Sequence, residues 1–146
     1  MLVRQVMSSP VINATTTTTI RDAAELMRTH GVGTLPVLDA RRPVGIVTDR
    51  DIVARALAAP GCALGPDTAI TDIMSRQVIT CYADQEIAEA AAVMGECRIR
   101  RLLVIDRAGA PVGILSLGDI AEHVSEDLAG QALGEISEAR AHDAGA

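Results

Sequence analysis

Val44-Gly45-Ile46-Val47-Thr48-Asp49-Arg50-Asp51-Ile52 decides the fold, because the chain repeats it as Val112-Gly113-Ile114-Leu115-Ser116-Leu117-Gly118-Asp119-Ile120. Both versions run glycine, two apolar residues, a hydroxyl, two variable residues and an aspartate. Upstream, an offset of 67 keeps the copies in register. Val6-Met7 falls on Ile73-Met74, Val11-Ile12 on Val78-Ile79, and Leu35, Val37 and Asp39 on Leu102, Val104 and Asp106. One extra residue in the second copy's turn then makes the offset 68. Self-similarity at a fixed period marks a duplicated structural unit.

The local patterns supply the elements of each copy. Val11-Ile12 and Val78-Ile79 are short apolar stretches ahead of polar loops. Ile20, Ala23, Ala24 and Met27 lie at i, i+3, i+4 and i+7, one face of a helix, and Ile87, Ala90, Ala91 and Met94 repeat them. Gly31 is a helix stop. Leu35 to Leu38 is an apolar run suited to a strand buried on both faces. Asp39 to Pro43 and Asp106 to Ala110 are tight turns, and Val44 to Thr48 is the next strand. Helices are expected from Asp51 to about Ala58 and from Asp119 to about Ala129. The fold class is α/β (α+β), two β-α-β-β-α repeats. Domains are expected at 3–59 and 71–128, with a Pro/Gly linker at 60–70 and a tail at 129–146, a frayed helix or a disordered segment. A three-stranded half leaves an apolar face to cover, so the copies should pack together with pseudo-two-fold symmetry.

Composition narrows the function. Of 146 residues, 49% are hydrophobic but only 1% aromatic, so the core is aliphatic and base stacking is a poor option. A net charge of −6 disfavours the phosphate backbone of nucleic acids. No stretch has the length of a membrane span, and Met1 to Ser9 lacks the apolar run of a signal peptide, so a cytoplasmic location is expected. The three cysteines, Cys62, Cys81 and Cys97, show no metal or redox spacing and read as small residues in a reducing compartment.

The hydroxyl and aspartate of each repeat have two readings. Ser/Thr-x-x-Asp at a helix start resembles a capping box. The same groups offer a hydroxyl to a phosphate and a carboxylate to a ribose diol, as acidic residues do in dinucleotide folds. Arg98, Arg100 and Arg101 form the densest positive cluster in the chain. Strand alternation predicts that Arg101 faces away from Arg98 and Arg100. Their bland role is that of a solvated rim.

The repeat and its endings resemble the cystathionine β-synthase (CBS) domain family over about residues 3 to 126, and the chain is similar to stand-alone tandem CBS-pair proteins. The resemblance implies two clefts that take adenosine derivatives: AMP, ADP, ATP, NAD-type ligands or S-adenosylmethionine. It implies crossed sites, one joining Thr48 and Asp51 to Ile79, Thr80, Arg100 and Arg101. The other joins Ser116 and Asp119 to Ile12, Asn13 and Gly33-Thr34. Asp51 and Asp119 would hold ribose hydroxyls, Thr48 and Ser116 phosphate or ribose oxygen, and Ile79 and Ile12 the adenine face. On this reading Asp51 weighs more than Asp119. His30 is a helix-end charge rather than a ligand group.

The expected function is therefore a regulatory sensor of an adenosine derivative, homodimeric and acting on an unknown protein partner. No enzyme is expected, since no nucleophile–base pair, metal cluster or phosphate loop stands out. No resident cofactor or metal is expected either. The alternatives are a ligand-free interaction module acting through dimerisation, or a thiol redox sensor using Cys81 or Cys97.

Overall fold

The computed structural model describes residues 1–61, 63–124 and 126–145, with side-chain detail in the last helix over 129–138. Cys62 lies outside the described residues. The first copy forms β1 (Ala14–Thr15), α1 (Ile20–His30), β2 (Thr34–Asp39), β3 (Arg42–Thr48) and a short α2 (Asp49–Asp51), which runs into a π-helical stretch at Ile52–Leu57. The second forms β4 (Thr80–Tyr82), α3 (Ile87–Cys97), β5 (Arg101–Ile105), β6 (Pro111–Ser116) and α4 (Leu117–His123). A further helix, α5 (Glu126–Gly145), has no counterpart in the first copy. The expected β-α-β-β-α order holds in both.

Each copy makes its own three-stranded sheet, β1-β2-β3 and β4-β5-β6, with the first pair parallel and the second antiparallel. The central strands are buried continuously from Leu35 to Val37 and from Leu102 to Val104, as their unbroken apolar runs require. Two aliphatic clusters result. One is built on Leu35, Val37, Val47, Ile70 and Ile73, the other on Leu102, Val104, Leu115, Ile120 and Ile136.

Compactness divides the chain differently from the repeat. One unit is Val11–Val78; the other joins Met1–Pro10 to Ile79–Ala146. The leading segment of the first repeat thus belongs to the second sheet. Val3 N–H donates to the Gln85 carbonyl at 2.9 Å, and Ser8 and Ile114 exchange backbone bonds of 2.9 and 3.0 Å. Val3 and Val6 are buried in that cluster. In the other unit Ser75 and Ile46 exchange two bonds of 2.9 Å, and Ile70 N–H donates to the Thr18 carbonyl.

Several boundaries move. The first hairpin turns on Ala40 and Arg41 alone, both at positive φ (48° and 68°), so β2 and β3 run closer to the turn than Asp39 to Pro43 suggested. The helices begin directly after Thr48 and Ser116, because those hydroxyls cap them. The second copy's helix ends at His123 instead of near Ala129. Gly31 closes α1 in the left-handed region as expected.

Candidate functional site

Thr48 and Ser116 sit at equivalent points, the last residue of a strand and the N-cap of the next helix. Thr48 Oγ1 accepts from Asp51 N–H at 3.2 Å, and Asp51 Oδ2 accepts from Thr48 N–H at 2.9 Å. Ser116 and Asp119 repeat this at 3.1 and 3.0 Å. Both capping boxes are therefore complete. Each occupies one carboxylate oxygen and leaves the other.

The second oxygens differ. Asp51 Oδ1 lies 3.6 Å from Arg55 Nε, one helical turn on. Among the described residues no cation pairs with Asp119. The strand entries differ in the same sense. Gly33 and Thr34 of the first copy correspond to Arg100 and Arg101 of the second. At Gly33 the backbone carbonyl accepts from Asp49 N–H at 3.0 Å, and a Cβ on Gly33 would come within 2.9 Å of the Asp49 carboxylate. At Arg100 the carbonyl accepts from Leu117 N–H at 3.0 Å, and Arg101 is the cross-strand partner of Ser116. The strand entry beside the second motif thus carries two arginines that the first copy lacks.

Within the second unit, Arg100, Arg101, Ser116, Leu117, Gly118 and Leu133 line one open pocket of about 340 Å³. That lies at the lower end of the range, about 300–1,000 Å³, of small-molecule sites. Arg100 and Arg101 share the pocket although they are adjacent. The alternation expected for them does not apply, since β5 begins only at Arg101. The sequence reading joined these arginines to Thr48 and Asp51; inside their own unit they adjoin Ser116. Likewise Gly33 and Thr34 adjoin Thr48, which pairs with Thr34 across β2 and β3.

The remaining candidates stand at the sheet edges. Ile12 and Asn13 lead into β1, and Ile79 precedes Thr80, the first residue of β4. All four are half-buried. Asn13 Oδ1 is buried without a hydrogen-bond partner, which calls for a donor from outside the described groups. His30 ends α1, exposed, as a helix-end charge should be. Leu133, missed by the sequence reading, reaches the pocket from α5; its sole signal was an apolar residue in a segment read as a tail.

Cys81 is buried in the middle of β4, and burial pushes its thiol up to about 11, away from the thiolate that a nucleophile or redox sensor needs. Among the described residues no group of three or more His, Cys, Asp or Glu is placed to hold a metal. No described helix is long and apolar enough to cross a membrane. The exposed cluster at Tyr82, Asp84 and Arg107 is an ion pair, bidentate at 2.8 and 3.0 Å, stacked on a ring. It holds the Asp84 carboxyl below its ordinary range.

The CBS domain model matches residues 3–58 and 70–126, one match per copy. The chain belongs to the CBS domain family. It is 34% identical over 143 residues to the CBS domain-containing protein YhcV of Bacillus subtilis, covering 96% of this chain and 98% of that one. Its structure is similar to the CBS domain pair of protein MJ0100 in complex with 5′-methylthioadenosine and S-adenosyl-L-methionine. There the TM-score is 0.71 at 33% identity, over 84% of this chain and 94% of the other. It is also similar to CBS domain protein PAE2072 of Pyrobaculum aerophilum complexed with AMP, with TM-score 0.75 at 28% identity over 89% and 99%. The CBS pair is thus a fold that carries adenosine ligands in its relatives.

Proposed function

We propose that this protein is a regulatory module that binds an adenosine derivative and does no chemistry on it. The observation that carries this reading is the pocket lined by Arg100, Arg101 and Ser116, the last capped by Asp119, whose carboxylate has no cation partner among the described residues. Two guanidinium groups and a hydroxyl suit a phosphate or a carboxylate. The Asp119 oxygen that the capping box leaves over suits a ribose hydroxyl. The pairs of relatives that hold AMP or S-adenosylmethionine support the adenosine class.

The second copy's motif is the stronger site on this reading, opposite to the weighting that sequence position alone suggested. An anion approaching either hydroxyl meets one capping aspartate, Asp51 or Asp119; beside Ser116 the strand entry adds Arg100 and Arg101 where the first copy has Gly33 and Thr34. Arg100 and Arg101 are exposed, so solvent and salt screen them and the preference they give the second site falls as ionic strength rises. The Thr48–Asp51 pair, already closed by Arg55, serves as a helix cap. Within the same unit, Ile79 and Thr80 are the candidates for the base.

Calorimetry against AMP, ADP, ATP, NADH and S-adenosylmethionine tests the reading. One or more should bind and raise the melting temperature by mass action. Arg101→Ala should weaken a phosphorylated ligand and flatten its salt dependence. If millimolar concentrations of all five leave the melting curve unmoved, the module works as a ligand-free interaction domain. The output proposed is a change in assembly with a second copy or a partner protein. Val53 and Leu57, 59% and 65% exposed on the π-helical stretch, provide apolar surface for it. Light scattering with and without ligand measures that step.

A further inference from the structure

α5 begins where the second family match ends, at residue 126, and nothing in the first copy corresponds to it. It is nevertheless built into the second unit. Ala129, Ala132 and Ile136 are 6%, 4% and 0% exposed and belong to the same aliphatic cluster as Leu117 and Ile120 of α4 and Met94 of α3. The approach to α3 is close: a Cβ on Gly95 would strike the Glu135 carboxylate. On the neighbouring face of α5, Leu133 remains 41% exposed and forms one wall of the pocket with Arg100, Arg101 and Ser116. Leu117 both lines that pocket and is buried in the cluster that seats α5.

We propose that α5 is the sensing element of this pocket: Leu133 contacts the bound ligand, and occupancy tightens the docking of α5 on α3 and α4. This inference rests on the reading of the pocket as the adenosine-ligand site. The physical reason is linkage. A ligand that touches Leu133 binds the docked helix better than an undocked one, so it stabilises docking by the same factor by which docking strengthens binding. The helix is placed to respond, because among its described residues the stretch that carries Leu133 also seats Ala129, Ala132 and Ile136 in the cluster shared with α3 and α4. A change in its docking would also be visible to a partner, since its remaining described positions face outward.

The test uses the full chain and whichever of AMP, ATP and S-adenosylmethionine binds it tightest. Leu133→Ala, at a half-exposed position that folding does not need, should weaken binding about three- to tenfold, and Leu133→Met should restore it. Ile136→Ala, which loosens α5 at a residue buried in the cluster and not lining the pocket, should weaken binding as well. Saturating ligand should slow hydrogen exchange of the α5 amides in the native protein. Unchanged exchange in α5 on saturation overturns the inference, and so do unchanged affinities in both truncations. In either case, loss of binding in Arg101→Ala shows that the pocket reading itself still stands. If none of the three compounds binds the native chain, the pocket reading and this inference fall together.

Discussion

Cys81 and Asp119 show how burial and neighbours set what a side chain does. Cys81 lies inside a parallel strand pair, where no solvent supports a thiolate. Its folded-state value of about 11 exceeds the ordinary 9.0, so the neutral thiol is favoured on folding. That contribution is present below about pH 9 and is lost as pH rises towards about 11. Denaturation against pH should therefore show the native protein losing stability over that window relative to Cys81→Ala. Mass spectrometry after brief alkylation should find exposed Cys97 modified well before Cys81. The sequence reading weighted Asp51 over Asp119, yet both close a capping box. Replacing either with alanine should lower stability by about 1 kcal/mol, read by urea denaturation. Only Asp119→Ala should also cost ligand affinity, because Arg55 already engages Asp51. Equal affinity losses at the two positions would count against the assignment of the site to the second motif.

The glycines of the recurring motif answer to a packing need between elements. A Cβ on Gly45 would come within 2.9 Å of the Ser75 carbonyl, and one on Gly113 within 3.1 Å of the Ser8 carbonyl, each also meeting a methionine side chain. Those carbonyls are fixed by their bonds to Ile46 and Ile114, so the backbone cannot give way cheaply. Gly45→Ala and Gly113→Ala should each destabilise by about 1–3 kcal/mol in chemical denaturation, with little effect on ligand affinity. The β2–β3 hairpin points the other way. Ala40 and Arg41 both hold a left-handed backbone that L-residues adopt at a cost of roughly 1–2 kcal/mol. Arg41→Gly should therefore raise the unfolding midpoint, an effect of about 1 kcal/mol. The helix propensity of the motif was legible from its Ser/Thr-x-x-Asp spacing. The π-helical run after α2 was not, since nothing in Ile52 to Leu57 departs from ordinary helical composition.

Across the whole molecule the repeat in sequence and the units in space are different partitions. The first ten residues complete the sheet edge of β6 and bury Val3 and Val6 beneath it. Deleting residues 1–10 should therefore weaken the unit containing the second copy. Loss of those two side chains alone amounts to about 3 kcal/mol or more at roughly 1.5–3 kcal/mol each. Hydrogen exchange locates the damage: amides of β6, Ile114 foremost, should lose protection while those of β2 and β3 retain theirs. Equal loss in both sheets, or fraying confined to the terminus, would contradict the division.

What the sequence by itself determined was the duplication, the β-α-β-β-α order, the aliphatic cores and the two hydroxyl–aspartate caps. Each of these is written in local periodicity or in spacing within one turn, and local signals survive without knowledge of what lies across the chain. Only the tertiary structure decided which leading segment completes which sheet, that Arg100 and Arg101 adjoin Ser116, and that Leu133 of the supposed tail walls their pocket. These depend on hydrogen bonds and contacts between residues far apart along the chain, such as Ser8 with Ile114 or Arg101 with Ser116. A linear pattern records which side chains are apolar or charged. It does not record which of several equivalent edges they complete.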